Sequence, residues 1–156
     1  MPRSSTMTPS RVRTVALAAV LLLAVAGFSA CEEATPRSAS TAGDEAAAAA
    51  RSQVGTPYQW GGREPGVGFD CSGLTSWSWE QAGVALPHQS FRQYEALPHI
   101  PIQEARPGDL IFYYSPISHV GMYIGNGQLV NAANTGTLVK VATVNWGKVT
   151  GVGRPG

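Results

Sequence analysis

Eighteen glycines and eleven prolines punctuate the 156 residues of this chain. Both residue types interrupt helices and strands, so their density predicts many turns and short regular elements. Hydrophobic residues make up 44% of the sequence and charged residues 13%. This balance predicts one small globular domain with additional segments outside it.

The formal net charge of +1 is unevenly distributed along the chain. From Asp44 onward there are seven Lys and Arg residues against eight Asp and Glu residues, so the positive excess lies at the N-terminus. A nucleic-acid-binding domain would carry a strong basic field on its folded part. The charge pattern therefore gives no support to a nucleic-acid partner.

The first thirty residues have the pattern of an export signal. Arg3, Arg11 and Arg13 precede an uncharged apolar run, residues 15–28, and small residues follow that run. This order is typical of a secretory signal peptide, and the run is shorter than the ~20 residues that a transmembrane helix needs. We therefore expect residues 1–30 to be a signal peptide of the lipoprotein type rather than a retained membrane span, and the mature protein to be extracytoplasmic.

The predicted cleavage site includes a cysteine. In "GFSAC", Cys31 directly follows Ser-Ala, which resembles a bacterial lipobox, although Phe28 stands where Leu is usual. A lipid on Cys31 would anchor the protein to the membrane, whereas ordinary secretion to the cell wall is the alternative. Residues 31–43 are rich in Ser, Thr, Ala and Pro and predict a flexible tether. We place the folded domain at residues 44–156.

Cys71, in "GFDCSGL", is the second of only two cysteines. Two cysteines in an exported chain favour a disulfide, but lipidation of Cys31 would leave Cys71 without a partner. The sequence predicts a helix over residues 71–83 with Asp70 as its N-cap and Gly83 at its end. The helix dipole at this position favours the thiolate, so the placement favours a nucleophile over a buried, inert thiol.

A cysteine nucleophile needs a base, and the chain has three histidines. His88 and His99 each follow a proline in segments that predict surface loops. His119 instead opens a segment in which apolar residues alternate with small or polar ones, the pattern of a half-buried strand. His119 is therefore the candidate base.

The turn "GNG" predicts that this strand forms a hairpin with a second strand over residues 128–133. If residues 125–127 form a three-residue loop, Ile124 lies opposite Gln128. His119 and Asn131 then lie on one face as diagonal neighbours, and the amide of Asn131 could orient the imidazole. A two-residue loop would place the two residues on opposite faces.

Several motifs together resemble the NlpC-type cysteine peptidases of bacterial cell walls. They are "PYQWGG", "GFDCSGL", "RPGDLIFY" and "SHVGMYIGNGQLVNAA", in the order cysteine, histidine, polar residue, and the resemblance covers most of Asp44 to about Trp146. It implies a papain-like α+β fold, in which a helix headed by the cysteine packs on a small antiparallel sheet that carries the histidine. It also implies cleavage of the γ-D-glutamyl–diamino-acid bond in peptidoglycan stem peptides.

Carried over to this sequence, the resemblance makes Cys71 the nucleophile and His119 the base. Asn131 occupies the place of the third polar residue, where relatives often have histidine. An amide can orient the imidazole but adds no charge of its own.

The resemblance also implies three substrate-binding residues. Tyr58 matches a tyrosine that lines the site, and Asp70 and Ser72 match positions that meet the free amine of a stem peptide. From the sequence itself, Tyr58 is equally well a core aromatic residue and Asp70 equally well only a helix cap. Trp60, Trp77 and Trp79 are expected to be packing residues, and Asp109 is expected to cap a turn.

Other chemistries find little support. The sequence has no His-Glu-x-x-His segment, no Gly-x-Ser-x-Gly segment and no glycine-rich loop followed by Lys-Ser/Thr. We therefore expect no metal and no cofactor. Two alternatives to the endopeptidase stay open: a non-catalytic wall-binding or scaffold module of the same fold, and a related cysteine amidase. The sequence does not identify a protein partner.

Overall fold

The computed structural model describes residues 41–156. The predicted signal peptide, the candidate lipidation site Cys31 and residues 31–40 of the predicted tether lie outside the described residues. None of the helices within 41–156 is long and apolar enough to cross a membrane.

The described part of the chain contains three α-helices, two short 3-10 helices and eight short strands. The helices are α1 (Ala42–Ser52), α2 (Cys71–Gln81) and α3 (Ser90–Ala96). The strands are β1 (Arg63–Glu64), β2 (Gly68–Phe69), β3 (His99–Ile100), β4 (Leu110–Tyr113), β5 (His119–Gly125), β6 (Gln128–Asn131), β7 (Lys140–Thr143) and β8 (Val149–Gly153). The 3-10 helices are Ile102–Glu104 and Trp146–Lys148.

Six of these strands form one antiparallel sheet in the order β3-β8-β4-β5-β6-β7, and β1 and β2 form a small separate hairpin. Helices α1 and α2 pack against each other, and both contact β5 near the middle of the sheet. The predicted α+β architecture, with a cysteine-headed helix on a small antiparallel sheet, is confirmed.

The hydrophobic residues form two clusters. The larger includes Leu74 and Trp79 of α2 together with Val120 and Met122 of β5, and the smaller includes Tyr123 of the same strand. Successive side chains of a strand point to opposite faces, so both faces of β5 are covered. This explains why β5 carries buried residues without interruption from 120 to 124.

Helix α1 begins with a capping box in which the Thr41 hydroxyl accepts from the Asp44 amide and the Asp44 carboxylate accepts from the Thr41 amide. Its alanines allow close approach to α2, and Ala46 and Ala50 are fully buried. The helix starts at Ala42, two residues before the boundary predicted for the domain.

Helix α2 is buried around most of its circumference, because α1, α3, β1 and β5 all pack against it. The helix therefore has no single apolar stripe: Leu74 is buried, Trp77 is half-buried and Gln81 is exposed. Four hydroxyl residues, Ser72, Thr75, Ser76 and Ser78, are instead buried along this short helix.

The β5–β6 hairpin has the predicted register, with Met122 opposite Val130. Its loop differs from the prediction, because Asn126 and Gly127 form a two-residue turn in which both φ angles are positive. The register shifts between Tyr123 and Gly125, and this bulge compensates for the shorter loop.

Asp109 lies at the entrance to β4 and is almost fully buried. Its carboxylate accepts from the Arg106 amide at 2.7 Å, which confirms the predicted turn cap. The Arg154 guanidinium also donates to both carboxylate oxygens, at 2.9 and 2.8 Å. This ion pair attaches the C-terminal segment to the start of β4.

Candidate active site

Cys71 is the first residue of α2, and its side chain is partly buried. The backbone N–H groups of Val120, Ser72 and Cys71 itself favour negative charge on its sulfur and act to lower the pKa of the thiol. The Val120 contact places the start of α2 against the start of β5. The helix N-terminus and the strand that carries His119 therefore meet at the thiol.

The thiol does not have the lowered pKa that its helix position predicts. Burial raises the pKa of Cys71 above its usual 9.0, and the negative charge of Asp70 raises it further, although the N–H groups around the sulfur act in the opposite direction. Desolvation disfavours the thiolate more than the helix N-terminus favours it. At neutral pH the resting group is a thiol, and the expectation of a resting thiolate is wrong.

His119 is the first residue of β5 and lies directly opposite Tyr113 in the sheet, with the two ring centroids 5.8 Å apart. Burial lowers the pKa of His119 below its usual 6.5. At neutral pH the imidazole is therefore uncharged and has one ring nitrogen able to accept a proton. That is the protonation state that a general base requires.

One cleft of about 820 Å³ is lined by both Cys71 and His119. The three residues that the resemblance places at the substrate, Tyr58, Asp70 and Ser72, line the same cleft. The structure thus brings five of the six predicted active-site residues to one cavity.

Tyr58 borders the cleft from the segment before β1. Burial raises the pKa of its hydroxyl, and the nearby Cys71 and Asp70 raise it further. The phenol therefore keeps its proton and is a hydrogen-bond donor in the cleft.

Asp70 is the N-cap of α2, as predicted: its Oδ1 accepts from the Gly73 amide at 2.6 Å. The same oxygen accepts from the Ser72 hydroxyl at 3.2 Å and from His88 Nε2 at 2.9 Å. Its Oδ2 accepts from the Gly61 amide at 2.9 Å. Helix cap and candidate binding residue are thus one and the same carboxylate.

His88 was predicted to lie on a surface loop, and it does, but its ring also lines the cleft and binds Asp70. Sequence reasoning missed this residue because 18 positions separate it from Asp70. Gly73 makes the contact sterically feasible. A Cβ atom at Gly73 would lie 2.8 Å from His88 Nε2 and 1.9 Å from the carbonyl oxygen of Gly62.

Asn131, the sixth predicted residue, ends β6 and is 8% exposed. It lines a second, smaller cavity of about 190 Å³ that also borders His119 and Tyr113. In the described part of the chain its Oδ1 has no hydrogen-bond partner. The structure therefore brings Asn131 and His119 to one cavity without the predicted hydrogen bond between them, and an unpaired acceptor stands beside the base.

The three tryptophans of this region differ in their environments. Trp79 is buried, and its indole N–H donates to the Gly108 carbonyl at 3.0 Å; Trp77 packs against Phe69 at a centroid distance of 5.5 Å. Trp60, in contrast, is 85% exposed and lines the rim of the cleft together with Phe91. The prediction that Trp60 is a packing residue is wrong.

Within residues 41–156 no cluster of three or more His, Cys, Asp and Glu side chains has the arrangement of a metal site. The cleft instead combines the Cys71 thiol at the N-terminus of α2, the uncharged imidazole of His119 and the protonated phenol of Tyr58. A thiol beside a base is the arrangement used for nucleophilic attack on a carbonyl carbon.

The fold places a thiol and an imidazole in one cleft, and comparison with known proteins identifies the family. The family model described as "NlpC/P60 family" matches residues 55–151. The chain belongs to the NlpC/P60 family.

Named relatives agree with this assignment. A probable endopeptidase of Mycobacterium bovis is 46% identical over 101 residues, which cover 62% of this chain and 25% of that protein. The probable endopeptidase p60 of Listeria monocytogenes is 45% identical over 113 residues, which cover 69% of this chain and 23% of that protein. The chain thus matches about a quarter of the length of these curated relatives.

Among solved structures, the peptidoglycan hydrolase RipB of Mycobacterium tuberculosis superposes with a TM-score of 0.67 at 38% identity. The superposition covers 72% of this chain and 64% of that one.

The raised thiol pKa predicts the alkylation behaviour of Cys71. In a Cys31→Ser variant, where Cys71 is the only thiol, we expect iodoacetamide to react more slowly at pH 7 than with a thiol of ordinary pKa, since less thiolate is present. The rate should increase as the pH rises through and beyond 9.0, the usual thiol pKa. The rate is measured by quenching the alkylation at a series of times and determining the alkylated fraction by mass spectrometry. Rapid labelling with no further increase above pH 7 would show that the thiolate is the resting form.

Proposed function

We propose that this chain is a cysteine endopeptidase that hydrolyses amide bonds in the stem peptides of bacterial peptidoglycan. The observation that carries the proposal is the shared cleft of Cys71 and His119, in which burial keeps the thiol protonated and the imidazole uncharged. The family assignment supports it, because named relatives are a probable endopeptidase and a peptidoglycan hydrolase.

In the first step, His119 takes the proton of the Cys71 thiol while the sulfur attacks the carbonyl carbon of the substrate. Neither group is charged beforehand, so charge separates only as the new bond forms. The N–H groups around the sulfur and the dipole of α2 stabilise the negative charge that develops there.

Charge on the carbonyl oxygen requires hydrogen-bond donors. The protonated Tyr58 hydroxyl borders the same cleft as Cys71 and is the side-chain donor that we assign to this oxygen. The N–H groups of the first turn of α2 are further donors, because a helix N-terminus leaves amides without intrahelical partners.

The tetrahedral intermediate then collapses. The imidazolium of His119 gives its proton to the leaving amine, the C–N bond breaks, and a thioester to Cys71 is left. Water attacks the thioester, His119 takes its proton and returns it to the sulfur, and a carboxylic acid product leaves.

We assign the scissile bond to the γ-D-glutamyl–diamino-acid linkage, which is what the sequence resemblance implies. A cleft of about 820 Å³ is of the size that accommodates a short peptide. Its acceptors and donors, Asp70, Ser72 and Tyr58, are suited to the polar groups of such a peptide.

The proposal includes the location of the enzyme. A lipid on Cys31 would anchor the protein to the membrane, and residues 31–43 would connect the anchor to the domain, which acts on peptidoglycan outside the cytoplasm.

Cys71→Ala tests the nucleophile. The wild-type enzyme should cut a defined disaccharide tetrapeptide into two fragments. In mass spectrometry, the masses of these fragments should sum to the mass of the intact substrate plus one water. The alanine variant should give none, while its circular dichroism spectrum stays that of the wild type. Hydrolysis that survives in the alanine variant is incompatible with a cysteine mechanism. Fragments from cleavage elsewhere would reassign the scissile bond alone.

Asn131 offers a graded test of how the base is oriented. Asn131→Ala should lower kcat by roughly tenfold to a thousandfold, because it deletes the acceptor that borders the same cavity as His119 but leaves the base itself in place. Asn131→His should keep substantial activity, and Asn131→Leu, which has no acceptor, should be at least as impaired as alanine. Steady-state kinetics on a defined stem peptide decide between these outcomes. If Asn131→Ala turns over like the wild type, another group orients His119.

The anchor is tested by cell fractionation in a bacterium that processes lipoproteins. The wild-type protein should sediment with membranes, and Cys31→Ser should move it to the soluble fraction or block its processing. N-terminal mass analysis provides the control, because a mature protein that begins elsewhere than Cys31 would contradict the lipid anchor.

A further inference from the structure

The carboxylate of Asp70 is already surrounded by hydrogen-bond donors. It accepts from the amides of Gly73 and Gly61, from the Ser72 hydroxyl and from His88 Nε2. Three of these donors, Gly73, Ser72 and His88, share Oδ1, whereas the Gly61 amide alone binds Oδ2. Each carboxylate oxygen has about two lone-pair positions, so Oδ1 has no acceptor capacity left. An ammonium group of a substrate must therefore displace one of these three donors to bind Oδ1.

These four donors differ in how easily they can leave. The two amides belong to the backbone, and the amide of Gly73 is part of the α2 cap. Ser72 is 5% exposed and packed into the start of α2. The His88 side chain, in contrast, is 31% exposed and reaches Asp70 from a loop that also lines the cleft. His88 is the donor that a ligand can replace.

The backbone around His88 is fixed, although its ring is accessible. Gln93 is fully buried, and its amide donates to the carbonyls of Pro87 at 2.7 Å and Ser72 at 3.1 Å. Thr75 donates to the other end of the same amide at 2.9 Å. The loop is thus attached to α2, and movement of His88 requires only rotation of its side chain.

We propose that His88 is a specificity-determining residue that competes with a substrate amine for Asp70. This inference rests on the proposed function. With His88 bound, Oδ1 of Asp70 gives no advantage to a stem peptide with a free amino terminus. A peptide whose amino group is acylated, as it is when linked to a glycan, binds equally well because it places no demand on Asp70. We therefore expect the enzyme to accept stem peptides whether their amino terminus is free or acylated.

The test compares two substrates that differ in one group: a stem peptide with a free amino terminus and the same peptide N-acetylated. The wild-type enzyme should cleave both with similar kcat/KM. His88→Ala should raise kcat/KM for the free-amine peptide by roughly tenfold to a hundredfold, through a lower KM, because a charge-assisted hydrogen bond to Asp70 becomes available. The kcat/KM of the N-acetylated peptide should change much less, so the ratio of the two kcat/KM values shifts towards the free-amine peptide.

Three further variants separate competition from a structural effect. His88→Gln keeps an N–H donor for Asp70 and should retain the wild-type ratio of the two kcat/KM values. Asp70→Asn combined with His88→Ala should lose the preference for the amine. His99→Ala is the matched control, because His99 is also a histidine beside a proline but stacks on Tyr94 and does not line the cleft.

Two kinetic results would overturn the inference. One is a strong preference of the wild type for the free-amine peptide. The other is a His88→Ala variant that leaves the ratio unchanged or loses both activities together, since His88 would then merely support Asp70. If the wild type cleaves neither peptide, the proposed function fails. The inference is then decided by binding: calorimetry gives the Kd of each peptide for Cys71→Ala and for Cys71→Ala/His88→Ala. The ratio of the two Kd values should shift in favour of the free-amine peptide when His88 is removed. Absence of binding to both peptides would also overturn it.

Discussion

The hydrogen bonds of one carboxylate hold the active-site region of this domain together. Asp70 caps α2 and fixes the direction in which the helix presents Cys71. The same side chain binds the Gly61 amide and the His88 ring. Loss of this carboxylate would remove the α2 cap and both of these contacts at once, and so its structural and binding roles cannot be separated by a single substitution at Asp70.

Burial determines the electrostatics of the site more than the helix dipole does. The N–H groups at the start of α2 favour a thiolate, yet the partly buried thiol has a raised pKa and the partly buried imidazole a lowered one. Both shifts have the same cause, which is the loss of water around a group that would be charged. The resting pair is consequently uncharged, and the N–H groups become important only when charge develops during the reaction.

Much of this arrangement could be predicted from the sequence, because it depends on local patterns. The cap at Asp70, the helix that starts at Cys71 and the register of the hairpin that carries His119 all follow from short motifs. The pKa of Cys71 could not be predicted, since it depends on how much of the side chain the rest of the fold covers. The contact between His88 and Asp70 was missed for a similar reason: it joins residues 18 positions apart, and no sequence motif connects them. Trp60 was predicted to be a packing residue, but its side chain is exposed at the rim of the cleft.

The exposure of Trp60 has an optical consequence. Its indole is 85% exposed, whereas Trp79 is 2% exposed and Trp146 is 37% exposed. An indole in water emits at longer wavelength than one in an apolar environment, so Trp60 contributes the most red-shifted component of the fluorescence. Because Trp60 lines the cleft, a molecule that fills the cleft changes the environment of that component first. The domain therefore carries an intrinsic reporter of occupancy that needs no added label.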